Sequence, residues 1–288
     1  MKKHRISFAY AIIMTVLTYL PVAVVALYSF NAGRLTSVWE GFSFVWYQKL
    51  FADASIAEAI GNSLFLGIMS SVLAAVLATT AALSMPNASL PCKRAAEWTA
   101  LAPMIIPEIV LGMIFLSFFS LLHLPFGMLT LFIAHTAFGI PYIYTEVRAA
   151  LVSLDNSIPD AARDLGAGPL TAFFTVTMPM LFPAILSGMF LSFAMSFDDV
   201  IISIFVTGVS VNTLPIKIYT QLKTGLSPEI FALCTLMVLV ALFCTLTAAF
   251  LRQCYRKKSK NHTAPMPISV HNKKDTPAII NTDNDNPQ

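Results

Sequence analysis

Apolar segments long enough to span a lipid bilayer recur along most of the chain, separated by shorter polar stretches. A spanning helix needs about 20 predominantly apolar residues. The stretches that meet this length are residues 7–30, 62–83, 98–122, 128–147, 183–206 and 230–251. The pattern therefore predicts an all-α integral membrane protein, with six transmembrane helices between residues 7 and 254.

Composition agrees with this pattern. The chain of 288 residues is 57% hydrophobic and only 11% charged, whereas soluble domains carry about 25% charged residues. This number of charges is too small to cover the surface of a soluble protein of this length. We therefore expect lipid to cover much of the surface. No Lys/Arg-rich block lies within the apolar region, which argues against a nucleic-acid partner.

The distribution of Lys and Arg predicts the orientation. If the N-terminus is cytoplasmic, 14 of the 18 basic residues fall on the cytoplasmic side, as the positive-inside rule requires. We therefore expect both termini in the cytoplasm of a bacterial cell, with residues 1–6 as a short cytoplasmic N-terminus. Residues 255–288 are polar and contain several prolines, and this composition predicts a disordered cytoplasmic tail.

The segment between the fourth and fifth spans, residues 148–182, is a long cytoplasmic loop with its own helical signals. Pro159 is suited to the start of a helix, and the Gly-Ala-Gly-Pro run at 166–169 is suited to its end. A second short helix is predicted at 170–176, just before Pro179. The loop is thus expected to hold two short helices beyond the lipid.

This loop resembles the EAA loop of ABC importer permeases, because its residues have the same spacing. The matching positions are Asp160, Ala161, Ala162, Gly166, Val176, Met178 and Pro179. They depart from the family pattern by Asp for Glu, Val for Ile and Met for Leu. The resemblance implies the type I ABC importer permease fold, in which this loop docks into a cleft on the ATP-hydrolysing subunit and couples ATP hydrolysis to transport.

Four further stretches resemble the second permease subunit of spermidine/putrescine importers. They are GFSFVWYQKLF, APMIIPEIVLG, FDDVIISIFVTG and LPIKIYTQLKTGLSPEI, and the resemblance extends over about residues 2–256. It implies a polyamine substrate and a complex with a second permease subunit, two ATP-binding subunits and an external polyamine-binding protein.

Three acidic residues lie inside predicted spans and away from their ends: Glu108 in the third, and Asp198 and Asp199 in the fifth. An acid at the bilayer centre costs roughly 2.5–3.5 kcal/mol, so such residues normally face a bundle interior or an aqueous path. At 1.5 Å per residue, Glu108 lies about 15 Å and the aspartates about 22 Å from the cytoplasmic ends of their spans. Together they predict an acidic route from the external mouth to the bilayer centre.

Aromatic side chains near these acids complete the predicted substrate path. Polyamines present ammonium groups separated by methylenes, which suit carboxylates and aromatic faces. Phe197, one helical step from Phe193, and Tyr219 are the candidates. The predicted path therefore comprises Glu108, Asp198, Asp199, Phe197 and Tyr219, and the absence of basic residues from all six span cores argues against anionic solutes.

Structural roles compete with this interpretation. Glu108 follows Pro107 and is also suited to capping a broken helix. Adjacent residues on a helix point about 100° apart, so one of the two aspartates is expected to be structural. For the other polar span residues we expect packing by His135 and an interfacial pair between Glu146 and Arg148.

The sequence contains no Walker A motif, zinc-protease motif or serine-hydrolase motif. We therefore expect no catalytic residue, cofactor or metal site, and ATP hydrolysis on a separate chain. Two alternatives remain. One is an ABC permease for another solute, such as ferric iron, a sugar or an opine-like amino-acid derivative, and the other is a stand-alone channel or intramembrane enzyme.

Overall fold

The structure is a computed structural model that describes residues 2–33, 38–85, 93–154, 157–209, 211–224 and 228–262. These residues form helices and connecting segments, with one isolated antiparallel bridge between Asn31 and Phe42. The helices are α1 Lys2–Tyr28, α2 Val45–Ala52, α3 Ala54–Ser84, α4 Lys93–Ile105, α5 Glu108–Leu121, α6 Met128–Val152, α7 Ser157–Asp164, α8 Pro169–Ala172, α9 Met178–Asp198, α10 Ile201–Val206, α11 Leu214–Thr224 and α12 Pro228–His262.

The described residues include five helical segments long and apolar enough to cross a membrane, and a sixth if the bent pair α4 and α5 counts as one span. Helical segments thus lie at all six predicted spans, and their number is six if α4 and α5 form one span. Two of the six are not continuous helices. The third is divided into α4 and α5, and the fifth into α9 and α10.

The third span bends by 112° between α4 and α5. Pro107 lies at the bend, where it precedes the first residue of α5 with an extended ψ of 135°. Proline has no N–H for the helical ladder and disfavours helical geometry in the residue before it. Pro103 and Pro141 do not end their helices and lie inside α4 and α6.

The predicted separate helix at 170–176 is wrong. α8 passes directly into a π-helical turn, Phe173–Thr177, and then into α9 without a break. The N–H of Met178 donates to the carbonyl of Phe173, five residues back. Pro179 cannot donate a helical hydrogen bond and crowds the preceding turn, and a wider π turn accommodates such a residue without ending the helix.

Small residues bring α3, α6 and α9 together as the central core. α3 contributes Ala74, Ala78 and Ala82, which pack against apolar residues of α6 and α9. A Cβ on Gly188 of α9 would lie 2.9 Å from the Cα of Ile143 on α6. These two backbones are thus in direct contact, as is common between helices in membranes, where small residues allow close approach.

Two further apolar clusters lie around this core. One joins α2, α11 and α12 near Trp46, and the other joins α5, α6 and α10 near Phe119. α1 packs against α12, and its 7–28 segment is exposed along most of its length. We call the end of the bundle that carries α7 the α7 end, and the end that carries α2 the α2 end.

Polar side chains connect the elements at the α2 end. The carboxylate of Asp53 caps α3 by accepting a hydrogen bond from the N–H of Ser55 at 2.8 Å. Hydrogen bonds from the hydroxyl and the N–H of Ser55 hold the pKa of Asp53 below its usual range. The ammonium of Lys217 on α11 donates to the Ser55 hydroxyl at 3.0 Å, which ties α11 to the start of α3.

The predicted disordered tail begins too early. α12 starts at Pro228 and continues to His262, so residues 255–262 are helical. Arg, Lys and Gln are good helix formers and are frequent from residue 252 to 260, which favours continuation of the helix. The rest of the predicted tail, 263–288, lies outside the described residues.

Candidate functional site

The two aspartates of the fifth span lie at the break between α9 and α10. α9 ends at Asp198, and Asp199 has an extended backbone (φ −70°, ψ 122°). One carboxylate oxygen of Asp199 accepts from the N–H of Ile202 at 3.2 Å, and the other accepts from the N–H and hydroxyl of Ser203, both at 2.8 Å. Asp199 is 6% exposed. From its position just before the N-cap residue Val200, Asp199 therefore satisfies two N–H groups in the first turn of α10, and it is not available to a solute in this conformation.

Asp198, in contrast, is exposed and borders a cavity of about 470 Å³ between α11 and α12. The wall combines this carboxylate with one aromatic ring and mostly aliphatic side chains. The lining residues are Asp198, Val200, Pro215, Ile218, Tyr219, Leu222, Cys234, Met237, Val238, Ala241, Leu242 and Thr245. An apolar cavity with one acid suits a ligand that carries both methylene and ammonium groups.

Tyr219 lies in the same wall, so the structure brings two predicted path residues together. The ammonium of Lys223 lies over the Tyr219 ring, 4.4 Å from its centroid. A cation in this position is attracted by the negative face of the ring. Lys223 thus shows that an ammonium group can reach a face of the Tyr219 ring, and its own ammonium occupies that face in this structure.

Glu108 is the first residue of α5, directly after the bend, and its side chain is exposed. α5, which begins at Glu108, packs against α10, which follows the two aspartates. The structure thus groups the three predicted acids, although Glu108 does not belong to the cavity wall. An acid in the first turn also interacts favourably with the helix dipole, so the path and the capping roles are compatible.

Phe197 is 2% exposed and lies in the apolar cluster around Trp46. Its ring stacks on Phe193 with centroids 5.6 Å apart. This contact agrees with the helical spacing of the two residues. Phe197 therefore packs behind the wall of the cavity and does not face it.

His135 is a packing residue, as the sequence suggested, but its partners are polar and remote in sequence. Its ring contacts Ser196, Ser203 and Asp199. An ionisable residue in a predicted span was the available signal, and the sequence could not show which side chains it meets.

The predicted ion pair between Glu146 and Arg148 is wrong. Its carboxylate instead lies 3.3 Å from the guanidinium of Arg252 on α12. Because α6 and α12 both approach the α7 end here, the tertiary structure offers Glu146 a partner more than 100 residues away.

α7 ends where the sequence predicts, and Gly166 is the reason. The N–H of Ala167 donates to the carbonyl of Ala162 at 3.1 Å, and the N–H of Gly166 donates to that of Arg163 at 2.9 Å. These bonds form a Schellman motif, which requires a left-handed residue after the helix. Gly166 has φ +89°, a conformation that glycine adopts readily.

The α7 end presents an exposed surface, which we call the coupling surface and define as α7 with Leu165, Leu170 and Phe174. Leu165 is 91% exposed, Leu170 73% and Phe174 63%. Asp160 and Arg163 form an exposed ion pair at 3.5 Å, which contributes little to stability. Large exposed apolar side chains rimmed by polar ones are typical of protein interaction sites.

Of the remaining EAA-type positions, Ala161 is exposed and Ala162 is half-buried on α7. Val176 and Met178 are half-buried, and Pro179 is exposed, at the junction with α9. Among the residues that the structure describes, no group of three or more His, Cys, Asp or Glu side chains is arranged to hold a metal ion.

Comparison with known proteins identifies the family. The model for binding-protein-dependent transport system inner membrane components matches residues 78–257. The chain belongs to this family. It is therefore a multi-pass permease of the inner membrane, from the class of ABC importers that work with a binding protein.

Similar curated proteins are polyamine permeases. The chain is 37% identical over 227 residues to the putrescine transport system permease protein PotI of Escherichia coli (strain K12), covering 76% of this chain and 81% of that protein. It is 32% identical over 245 residues to the spermidine/putrescine transport system permease protein PotC of the same strain, covering 85% of this chain and 92% of that protein.

Solved structures share the fold. A bacterial ABC transporter involved in the import of the acidic polysaccharide alginate matches with a TM-score of 0.60 at 16% identity, over 83% of this chain and 92% of that chain. The MetNI methionine ABC transporter matches with a TM-score of 0.56 at 15% identity, over 69% and 95%. The predicted type I ABC importer permease fold is confirmed.

Proposed function

We propose that this permease imports polyamines such as putrescine and spermidine, with Asp198 and Tyr219 as the residues that bind an ammonium group. The observation that carries the proposal is the apolar cavity bordered by the exposed Asp198 carboxylate. Polyamines have aliphatic chains that suit the wall of the cavity and terminal cations that suit the acid. The similarity to permeases named for putrescine and spermidine points to the same solutes.

Glu108 extends the path in this proposal. It is exposed at the bend of the third span, on the helix that packs against α10. A second carboxylate at a different position suits a substrate with two or three ammonium groups. Asp199 and Phe197 support the path from behind, Asp199 by its hydrogen bonds to α10 and Phe197 by packing.

The complex that we propose contains a second permease subunit, two ATP-binding subunits and an external polyamine-binding protein. The coupling surface would contact an ATP-binding subunit, since Leu165, Leu170 and Phe174 are apolar and uncovered in the single chain. ATP hydrolysis takes place on those subunits, and this chain transmits their motion through α7 to α9. Both termini are cytoplasmic in this arrangement.

Uptake of labelled spermidine and putrescine tests the proposal in cells that lack their own importers and express the whole complex. Wild-type cells should accumulate amine, and Asp198→Asn should lower uptake about tenfold or more, because hydrogen bonds to charged groups contribute about 1.5–3 kcal/mol. Glu58→Gln is the matched control, since Glu58 is an exposed acid outside the cavity wall.

The possible outcomes test the choice of solute and the assignment of the cavity as the path separately. No uptake by wild-type cells, with uptake of a sugar or ferric iron instead, would overturn the polyamine assignment. Full uptake by Asp198→Asn would overturn the assignment of the cavity as the path.

A further inference from the structure

His135 connects both halves of the broken fifth span to α6. Its Nδ1 lies 2.7 Å from the hydroxyl oxygen of Ser196, which belongs to α9. Its Nε2 lies 3.0 Å from the hydroxyl oxygen of Ser203, which belongs to α10. The ring is 1% exposed. A single buried imidazole therefore bridges the break.

The hydrogen bonds assign the protons in this group. The carboxylate of Asp199 can only accept, so the Ser203 hydroxyl donates to it at 2.8 Å. The Ser203 oxygen must then accept from an N–H at Nε2 of His135, which also lies 3.5 Å from the Asp199 carboxylate. In the neutral ring Nδ1 is an acceptor, and the Ser196 hydroxyl donates to it. Each side chain of the group thus has a partner.

Side chains control the geometry of the break because the backbone ladder is interrupted there. Asp199 is extended, so α9 does not continue into α10 through regular helical bonds. A satisfied network of buried polar groups rigidifies the structure around it, and loss of one member leaves the others unpaired in a medium of low dielectric constant. Asp198 is the last residue of α9, immediately before this junction.

We propose that His135 is a positioning residue for transport: by holding Ser196 on one side of the break and Ser203 on the other, it directs Asp198 toward the cavity. The role in transport rests on the proposed function of the cavity, whereas the effect on the direction of Asp198 does not. The buried group explains why one aspartate of the pair bonds to the first turn of α10 while its neighbour is exposed.

A reporter thiol measures the direction of the Asp198 side chain. We would introduce Asp198→Cys into the full complex, after replacing the native residues Cys92, Cys234, Cys244 and Cys254 by alanine. The rate of modification by a small cationic methanethiosulfonate, per assembled complex, is then compared among His135→Phe, Ser196→Ala and Ser192→Ala. Ser192 is the matched control, because it lies one turn earlier on α9, is buried, and has no hydrogen-bond partner among the described residues.

Relative to the complex that carries Asp198→Cys without a further change, the modification rate should fall about fivefold or more in His135→Phe and Ser196→Ala, as expected for loss of a buried hydrogen bond. It should stay within about twofold in Ser192→Ala. If the complex with His135→Phe does not assemble, Ser196→Ala decides, because it removes one hydroxyl only. An unchanged or faster modification rate in these two variants would overturn the proposal. A lower yield of assembled complex, with an unchanged rate per complex, would also overturn it.

Polyamine uptake is measured in parallel with Asp198 intact. If His135→Phe lowers the modification rate of the thiol but wild-type cells import no polyamine, the positioning role stands and the proposed function fails. If wild-type cells import polyamine and the thiol does not respond, the proposed function stands and the positioning role fails.

Discussion

Asp198 and Asp199 are adjacent in the chain but have different surroundings. The carboxylate of Asp199 is buried and accepts three hydrogen bonds from Ile202 and Ser203, whereas Asp198 is exposed at the cavity. Asp198 is the last residue of α9, whereas Asp199 has an extended backbone outside the helix. Removing the charge therefore has different consequences at the two positions. At Asp199 it removes hydrogen bonds to the first turn of α10, and at Asp198 it removes the acid that borders the cavity, which we propose binds an ammonium group.

Gly166→Ala tests the end of α7 at the scale of one residue. A left-handed conformation costs a non-glycine residue roughly 1–2 kcal/mol, and no atom within 4 Å would clash with the new Cβ. The Schellman motif should therefore weaken, and ATP hydrolysis stimulated by the amine-loaded binding protein should fall about fivefold.

Gly168→Ala is the control, because Gly168 has a φ of −61° and also has room for a Cβ. Equal rates of stimulated ATP hydrolysis in the two variants would contradict the importance of the left-handed residue.

The helices of the central core are positioned by backbone contact as well as by apolar side chains. Gly188 places α9 directly against Ile143 of α6, and the Ser187 hydroxyl donates to the carbonyl of Ala248 on α12 at 2.9 Å. The π turn before α9 keeps this helix continuous with α8 and thus with the coupling surface. Motion at Leu170 and Phe174 has a continuous helical route through α8 and α9 to the break at Asp199.

Gly188→Ala and Gly61→Ala separate helix propensity from packing. Both glycines are inside helices, where alanine is favoured by about 1 kcal/mol. A Cβ at position 61 has no atom within 4 Å, whereas one at position 188 meets the Ile143 backbone at 2.9 Å. Thermal unfolding in detergent should therefore show a lower melting temperature for Gly188→Ala and an equal or higher one for Gly61→Ala.

A melting temperature of Gly188→Ala at or above that of the unmodified protein would show that α6 and α9 are not in the close contact described.

The whole chain leaves large apolar surfaces uncovered. α1 is exposed along most of its length, and the coupling surface adds three exposed apolar side chains at the α7 end. Lipid accounts for the first kind of surface along the spans. A protein partner is expected for the second, because there the apolar side chains lie beside the exposed ion pair of Asp160 and Arg163.

Protease accessibility tests the orientation of the whole molecule. Because 14 of the 18 basic residues lie on the side assigned to the cytoplasm, cleavage sites fused to either terminus should be protected in intact spheroplasts and cut in inverted vesicles. A site inserted within residues 38–44 should behave in the opposite way and serves as the control. Cleavage of a terminal site in intact spheroplasts would reverse the orientation.

Much of the fold could be predicted because its signals are local. The length of an apolar run is sufficient to predict a span, and a glycine with its neighbours is sufficient to predict the end of α7. The spacing from Asp160 to Pro179 indicated the family correctly, although the second helix in that loop proved continuous with α9. The three acids were also identified locally, since a charge within an apolar run is conspicuous.

The assignments that failed or stayed open depend on residues far apart in the chain. Glu146 meets Arg252 and not its neighbour Arg148, and His135 meets hydroxyls 61 and 68 residues away. Which aspartate bonds to the first turn of α10 follows from where α9 breaks, and the bonds from Ser203 and the ring of His135 stabilise that break. Such contacts are absent from any local pattern, because packing of three helices brings the partners together and a buried polar group must then bond to whichever partner is within reach.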